Sequence, residues 1–156
     1  MKFEEHVKYG GVASLISWAF WGPWNALLFW AASVLIDFDH YIDYVYRNGG
    51  TDWHVSSIFR LDRFLRQKLF RGELQGRVVC LSIFHTAEVF GLIYGIYRWT
   101  GSIFWIVVFS GMLFHLFLDL IFMYGCRALT LRAYSLIEYF IRRRVMAEQG
   151  KDPDEV

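Results

Sequence analysis

The stretch Ile36-Asp37-Phe38-Asp39-His40 closes an almost wholly apolar run over residues 7–36. Two carboxylates and an imidazole therefore directly follow a segment that is apolar enough for a bilayer. Ionisable groups at such a position are energetically unfavourable, so they usually have a partner or a function. Carboxylate oxygen and imidazole nitrogen are ligands that zinc, manganese and iron accept. The stretch predicts a metal site whose remaining ligands come from other parts of the chain.

The composition indicates a membrane protein. Of the 156 residues, 56% are hydrophobic, and the mean hydropathy is +0.31, whereas soluble domains average about 45–50% apolar residues. The length predicts one domain over residues 1–148, followed by a flexible tail over residues 149–156. The net charge of +1 gives no reason to expect nucleic-acid binding.

The first apolar run is interrupted at Gly22-Pro23, and two interpretations of it remain open. One tilted helix could use much of the run, since a bilayer core takes about 20 helical residues. Glycine followed by proline instead favours a helical hairpin that reverses at this point. The helix that follows is expected to continue through the acidic stretch to about Tyr46, where Asn48-Gly49-Gly50 ends it.

Two further apolar segments, residues 78–98 and 102–124, are predicted to be helices joined by a turn at Thr100-Gly101. Arg98 and Trp99 flank that turn, and long basic and aromatic side chains of this kind reach a membrane interface. The predicted fold class is therefore all-α, an integral membrane bundle of about four spanning helices.

Two basic amphipathic segments, residues 55–71 and 129–146, complete the predicted fold. Apolar residues recur at helical spacing in the first, and five cations interleave with them: Arg60, Arg63, Arg66, Lys68 and Arg71. The second ends in Arg142-Arg143-Arg144. Both patterns are typical of helices that lie in a membrane surface, so membrane lipids are expected partners. The loop from Arg47 to Arg77 and the C-terminal segment from Arg127 hold nearly all Lys and Arg. Both are therefore predicted to face the cytoplasm in a multi-pass protein of the inner membrane.

Three polar groups, at Asp37–His40, at His85 and at Asp119, each lie about eight residues from the basic segment that flanks their helix. Eight helical residues correspond to roughly 12 Å. All three groups are therefore expected at a similar depth below the cytoplasmic surface. If the hairpin forms, His6 precedes the first helix on the same side.

The spacing of these groups supports a shared site. On helices, His115 and Asp119 share a face at i, i+4, and His85 and Glu88 share one at i, i+3. Intramembrane carboxylates usually face the interior of a bundle, where helices can direct ligands at one point. We predict one metal site with the candidate ligands His6, Asp37, Asp39, His40, His85, His115 and Asp119.

The neighbouring carboxylates are given other roles. Glu88 is the candidate general base, because it lies beside a ligand histidine and outside the two acidic clusters. An equal alternative is that Glu88 is another ligand. Asp43 is a candidate outer partner that holds a ligand histidine in its tautomer. The acids and histidines could also pair only with one another and bind no metal.

The polar residues up to about Tyr124 resemble those of the LexA-binding, inner-membrane-associated family of membrane-bound, metal-dependent hydrolases. The resemblance is carried by His6 with Gly10, by Asp37-x-Asp39-His40, by His85-Thr86 with Glu88, and by His115-x-x-x-Asp119. Many members have a longer motif, H-R-G-x-T-H-S, on the third helix, whereas this chain has no histidine upstream of His85 in that segment. The resemblance implies hydrolase activity.

The expected function is metal-dependent hydrolysis of a phosphoester or lipid-like substrate, with a divalent metal, zinc first and manganese second. One alternative is a non-enzymatic membrane adaptor whose polar cluster only determines helix packing. The other is a haem- or quinone-binding protein with His85 and His115 as axial ligands. That alternative leaves the intramembrane carboxylates unexplained.

Overall fold

The structure, a computed structural model, describes residues 3–73 and 79–151, and these residues are predominantly helical. Six α-helices follow one another: α1 (Phe3–Leu35), α2 (Phe38–Arg47), α3 (Val55–Phe70), α4 (Ala87–Thr100), α5 (Ile103–Gly125) and α6 (Leu136–Glu148). Two 3-10 turns, Ile83–His85 and Leu129–Leu131, and two short strands, β1 (Cys80–Leu81) and β2 (Arg132–Ala133), complete the described elements. The predicted helical class is confirmed.

The contacts divide the chain into two compact units, each of which is described by itself. Unit 1 comprises the chain to Asp37 together with Ala87–Phe122, and unit 2 comprises Phe38–Thr86 and the chain from Met123. The single domain over residues 1–148 stays a prediction. So does the flexible tail, most of which lies outside the described residues.

Helix α1 in unit 1 is a hairpin. Gly22 has φ 77° and ψ 170°, outside the helical region, and Pro23 follows it; glycine allows this conformation because it has no Cβ. Trp30 Nε1 donates to the carbonyl of Val7 over 3.1 Å, whereas a straight helix would separate these residues by about 35 Å. The hairpin interpretation is therefore right, and the two arms of α1 are residues 3–21 and 23–35.

The two arms of α1 pack with α4 and α5 to form a helical bundle. Phe29 of the second arm lies 5.7 Å from Phe114 of α5 between ring centroids. Phe90 of α4 meets Phe109 of α5 edge-on at 5.8 Å. Burial of these apolar faces stabilises the unit, since removing apolar surface from water is favourable.

Two segments of the described chain are long and apolar enough to cross a membrane, Phe3–Tyr46 and Ile103–Gly125. Helix α4 has only 14 residues, a length of about 21 Å against a hydrocarbon core of about 30 Å. The count of about four spanning helices is therefore not confirmed and stays a prediction.

The segment predicted as a helix over residues 78–98 becomes helical only at the start of α4. Before that point β1 pairs in parallel with β2, and a 3-10 turn follows. Thr86 ends the turn in an extended conformation, and its Oγ1 donates to the carbonyl of Ile83 over 2.8 Å. Side-chain hydrogen bonds of this type compete with helix formation. The helix prediction is therefore wrong for residues 79–86, where pairing with a distant strand overrides the apolar pattern.

In unit 2, helix α2 begins after a turn at residues 36–37, so the helix predicted to run unbroken to about Tyr46 is interrupted there. Helix α2 ends at Arg47, directly before Asn48-Gly49-Gly50, as the sequence predicted. Gly49 and Gly50 have φ of 67° and 72°, conformations that glycine adopts readily.

The loop from α2 to α3 is organised by Asp52. Its Oδ2 accepts a hydrogen bond from Tyr44 Oη over 2.7 Å, and its Oδ1 accepts one from the backbone N–H of His54 over 2.8 Å. Hydrogen bonds from Tyr44, Ser57 and His54, with that from Tyr44 the largest cause, lower the pKa of Asp52 from 3.8 to about 2. The loop that joins the two helices is therefore well defined.

The predicted bounds of the two basic helices differ in how well they match the structure. Helix α3 matches the predicted range closely. Helix α6 begins only at Leu136, where Ser135 caps it by accepting from the N–H of Ile137 over 3.2 Å. The prediction is wrong for residues 129–135, which form the second 3-10 turn, β2 and the cap. The location of α3 and α6 in a membrane surface stays a prediction.

Candidate metal centre

Four predicted ligands meet inside unit 1, and we call them the bundle cluster: His6, Asp37, His115 and Asp119. His6 Nε2 lies 3.1 Å from Asp119 Oδ1, and His115 Nε2 lies 3.2 Å from Asp37 Oδ1 and 3.7 Å from Asp119 Oδ2. The two imidazole rings stack with their centroids 3.8 Å apart. His6, His115 and Asp119 are at most 2% exposed. The cluster is therefore a buried, charge-rich group.

The helices explain how residues far apart in sequence meet. The hairpin folds the first arm of α1 back along the second, which brings His6 to the end of the hairpin where Asp37 lies. His115 and Asp119 are one turn apart on α5 and share a face, as their spacing predicted. His6 was predicted to join the site only if the hairpin forms, and the hairpin does form.

The tautomer of His115 is determined by a backbone carbonyl. His115 Nδ1 lies 2.7 Å from the carbonyl oxygen of Ser33, and a carbonyl can only accept. Nδ1 therefore carries the proton, and a neutral His115 would turn the lone pair of Nε2 toward the carboxylates of Asp37 and Asp119. This arrangement is unfavourable unless His115 is doubly protonated or a cation lies between the groups.

Close contact between helices places His115 beside that carbonyl. A Cβ built on Gly111, one turn before His115, would lie 2.5 Å from the carbonyl oxygen of Phe29, one turn before Ser33. Only glycine permits this approach of α5 to the second arm of α1. Neither Gly111 nor the Ser33 carbonyl could be identified from the sequence, since a backbone acceptor carries no residue-type signal.

Three further predicted ligands meet inside unit 2, and we call them the turn cluster: Asp39, His40 and His85. Asp39 Oδ2 lies 3.1 Å from His85 Nδ1 and accepts from the backbone N–H of Phe84 over 2.9 Å. His40 Nδ1 lies 4.0 Å from Asp39 Oδ1 and 3.5 Å from Ser82 Oγ. Asp39 thus orients His85, as carboxylates orient histidines at metal sites.

The structure changes the interpretation of two carboxylates. His85 lies in a 3-10 turn of unit 2 and Glu88 in the first turn of α4 in unit 1, so the shared α-helical face predicted for them is wrong. A carboxylate in the first turn also complements the helix dipole, and the role of Glu88 as base or ligand stays a prediction. Asp43 is half-buried in α2, and its outer role also stays a prediction.

Both clusters fit a divalent metal ion by the chemistry of their donor atoms. Asp37, His115 and Asp119 each offer a ligand atom within 4.8 Å of the others, and so do Asp39, His40 and His85. Mixed imidazole and carboxylate donors suit zinc, and a larger carboxylate share suits manganese. His6 Nδ1 is buried without a hydrogen-bond partner among the described residues. The single site of all seven residues stays a prediction.

Comparisons with protein-family models, with curated proteins and with solved structures gave no match. The resemblance to the inner-membrane hydrolases therefore stays a prediction that depends on the residues quoted above.

Proposed function

We propose that this chain is a membrane-bound, metal-dependent hydrolase that acts on a phosphoester or lipid-like substrate. The observation that supports it most is the orientation of His115, whose Nδ1–H donates to the Ser33 carbonyl while its Nε2 faces two carboxylates. Two carboxylates that face an imidazole lone pair are unfavourable unless the imidazole is doubly protonated or a cation lies between the groups, and the proposal takes the second case.

The proposed roles fall to three residues of the bundle cluster and to Glu88 in the first turn of α4. Asp37, His115 and Asp119 would hold the metal, and the hydrogen bond to Ser33 keeps His115 Nε2 free to be the donor atom. A divalent ion bound there, zinc first and manganese second, would supply Lewis acidity toward the scissile bond and toward water. Glu88 accepts the proton of the attacking water as a general base.

The location completes the proposal. The chain contains two segments suited to crossing a membrane, and its basic residues cluster in the α3 loop and the C-terminal segment. By the positive-inside rule both regions lie in the cytoplasm of a cell whose inner membrane holds the chain. The substrate then reaches the site from the cytoplasmic side.

Elemental analysis tests the metal first. We expect the purified wild type to carry about one transition metal ion per chain, the usual occupancy of a high-affinity site. His115→Ala should lose it, whereas the matched variant His54→Ala should keep it, because His54 is exposed in the loop before α3. Equal metal content in both variants would exclude the bundle cluster as the site.

Activity is tested next, with a screen of phosphoesters and lipids in the presence of zinc and of manganese. Glu88→Gln keeps the shape of the side chain but removes its ability to accept a proton as a carboxylate. We expect this variant to keep its metal and to lose about 10²–10⁴-fold in turnover. If metal and activity fall together, Glu88 is a ligand.

A non-enzymatic adaptor is the second candidate, and one observation favours it. His6 with Asp119 and His115 with Asp37 already form close pairs at 3.1 and 3.2 Å, which doubly protonated histidines would satisfy without a metal. In that case the wild type carries no metal and hydrolyses nothing in the screen, and His115→Ala affects only stability.

A further inference from the structure

We propose that the exposed face of α3 docks on the anionic lipid headgroups of the membrane that holds the chain. Helix α3 separates its residues cleanly between two faces. The inward side, which packs within unit 2, carries four half-buried residues: Ile58, Leu61, Leu65 and Leu69. The exposed face is a band of Phe59, Arg60, Arg63, Phe64, Gln67, Phe70 and Arg71.

The chemistry of this face points to a surface that is both anionic and apolar. The three phenylalanines are 46%, 48% and 68% exposed, which is unfavourable in water for side chains of this size. The arginines carry positive charge between them, and the one carboxylate within α3, Asp62, is paired with Arg66. Aromatic rings that enter the headgroup region and arginines that contact phosphates are the pattern of interfacial helices.

Two of the three arginines on this face form no ion pair among the described residues, and the third, Arg71, lies 3.8 Å from Glu73. Arg60 donates to Ser57 Oγ over 2.7 Å, but neither Arg60 nor Arg63 pairs with a carboxylate in the part of the chain that the structure describes. Arg66, at the edge of this face, is paired with Asp62 at 2.7 Å.

Helix α6 lacks this property although its sequence is equally basic. Arg142 is paired with Glu138 at 3.1 Å and also donates to the carbonyls of Arg132 and Thr130. Its neighbours are held as well, since Arg143 donates to Tyr139 Oη and Arg144 pairs with Glu148. The inference therefore assigns lipid charge recognition to α3 and not to α6.

The chain itself keeps α3 near a bilayer. The first candidate membrane segment ends at Tyr46, and α3 begins at Val55. The eight residues between them could span at most about 28 Å if fully extended, and hydrogen bonds fold them into a compact loop. Because of this tether, a lipid surface is favoured over a soluble acidic partner or a nucleic acid.

The test uses the full chain in lipid nanodiscs and a spin label on the exposed face. Gln67→Cys carries the label in a background of Cys80→Ser and Cys126→Ser. Oxygen, which partitions into lipid, and a water-soluble nickel complex report whether position 67 is in the headgroup region. Circular dichroism confirms that each variant keeps its helical content. Discs of phosphatidylcholine alone are compared with discs that contain phosphatidylglycerol.

We expect the label to become shielded from the nickel complex only in the discs that contain phosphatidylglycerol. Arg60→Gln and Arg63→Gln should each lower the ratio of docked to undocked helix about fivefold. Arg66→Gln, which removes the same charge from a paired position, should leave the ratio unchanged. Equal shielding in both types of disc, or equal loss in all three variants, would overturn the role assigned to the arginines.

Other outcomes identify other partners. A label that stays exposed in both discs, but is shielded by an oligonucleotide or an acidic peptide in detergent, would overturn the proposal in favour of that partner. The inference depends on the proposed membrane location but not on hydrolysis. A chain that stays in solution without detergent and does not enter discs refutes both the location and the docking. Loss of metal or activity leaves the docking intact.

Discussion

In the bundle cluster the histidines lie on long helices, whereas in the turn cluster His85 lies in a three-residue turn. The two clusters use the same residue types, and both anchor a histidine through Nδ1. His115 donates to a backbone carbonyl and His85 to a carboxylate. The geometry of the bundle cluster therefore depends on helix packing, and that of the turn cluster on local hydrogen bonds.

This difference has a consequence for metal binding. Nearly all of the bundle cluster is buried, whereas the side chain of His40 in the turn cluster is 39% exposed. Metal ligands that are buried and held by packed helices are preorganised, because little order remains to be imposed on binding. We therefore expect the bundle cluster to bind metal more tightly than the turn cluster.

The largest effect is expected from removal of a bundle carboxylate. Asp119→Ala deletes the group that faces both His6 and His115, so metal affinity should fall by more than the roughly 100-fold that changes in outer partners cause. Competition with a metal chelator measures this affinity. Asp62→Ala, on α3, is the matched control and should bind metal as the wild type does. If the metal affinity of Asp119→Ala equals that of the wild type, the bundle cluster is not the metal site.

A smaller effect is expected in the turn cluster. Asp39→Asn keeps the size of the side chain but weakens its hold on His85 Nδ1 and the Phe84 N–H. If Asp39 orients a ligand histidine, the affinity should fall about 10–100-fold. His40→Ala should cost less than Asp39→Asn, because His40 is the more exposed. A loss in Asp39→Asn as large as that in Asp119→Ala would instead support the predicted single site of seven residues.

Because the geometry of the bundle cluster depends on helix packing, a substitution that disturbs this packing is expected to lower the stability of the fold. In Gly111→Ala the new Cβ would lie 2.5 Å from the Phe29 carbonyl oxygen, and a backbone atom cannot turn aside. The free energy of unfolding in mild detergent should fall by about 1–3 kcal/mol, and metal affinity should fall with it as α5 moves from Ser33.

Gly95→Ala in α4 is the matched control, since a Cβ there meets nothing within 4 Å. This variant should gain about 0.5–1 kcal/mol, because alanine favours a helix over glycine. Similar changes in the two variants would mean that the contact between α5 and the second arm is not tight.

The smallest effect is expected from substitution of Asp52, which lies in the same unit as the turn cluster, and it concerns the pH dependence of stability. Its pKa in the folded chain is about 2, against 3.8 for the free group, chiefly because Tyr44 donates to it. A lowered pKa stabilises the fold above pH 3.8, and this contribution is lost as the pH falls from 3.8 toward 2. Asp52→Asn should therefore flatten the pH dependence of stability in that window, as thermal unfolding at a series of pH values would measure. The same slope in wild type and variant would contradict the assignment.

Several features of the chain could be predicted from sequence because they depend on neighbours along it. Gly22-Pro23 reverses the first apolar run since one residue permits a positive φ and the other cannot continue a helix. The spacing of His115 and Asp119 places them on one face of α5, since the helical repeat is the same everywhere. The range of α3 also follows from its pattern of apolar and basic residues.

Other features depend on residues that are distant in sequence, and only the tertiary structure decided them. The apolar residues 79–86 suit a helix as well as a strand, and pairing of β1 with β2 selects the strand and the turn that holds His85. The hydrogen bond of His115 to Ser33 depends on a backbone carbonyl, and the need for glycine at position 111 depends on how closely two helices approach. Residue types indicated which atoms could bind a metal, but packing determined which of them meet.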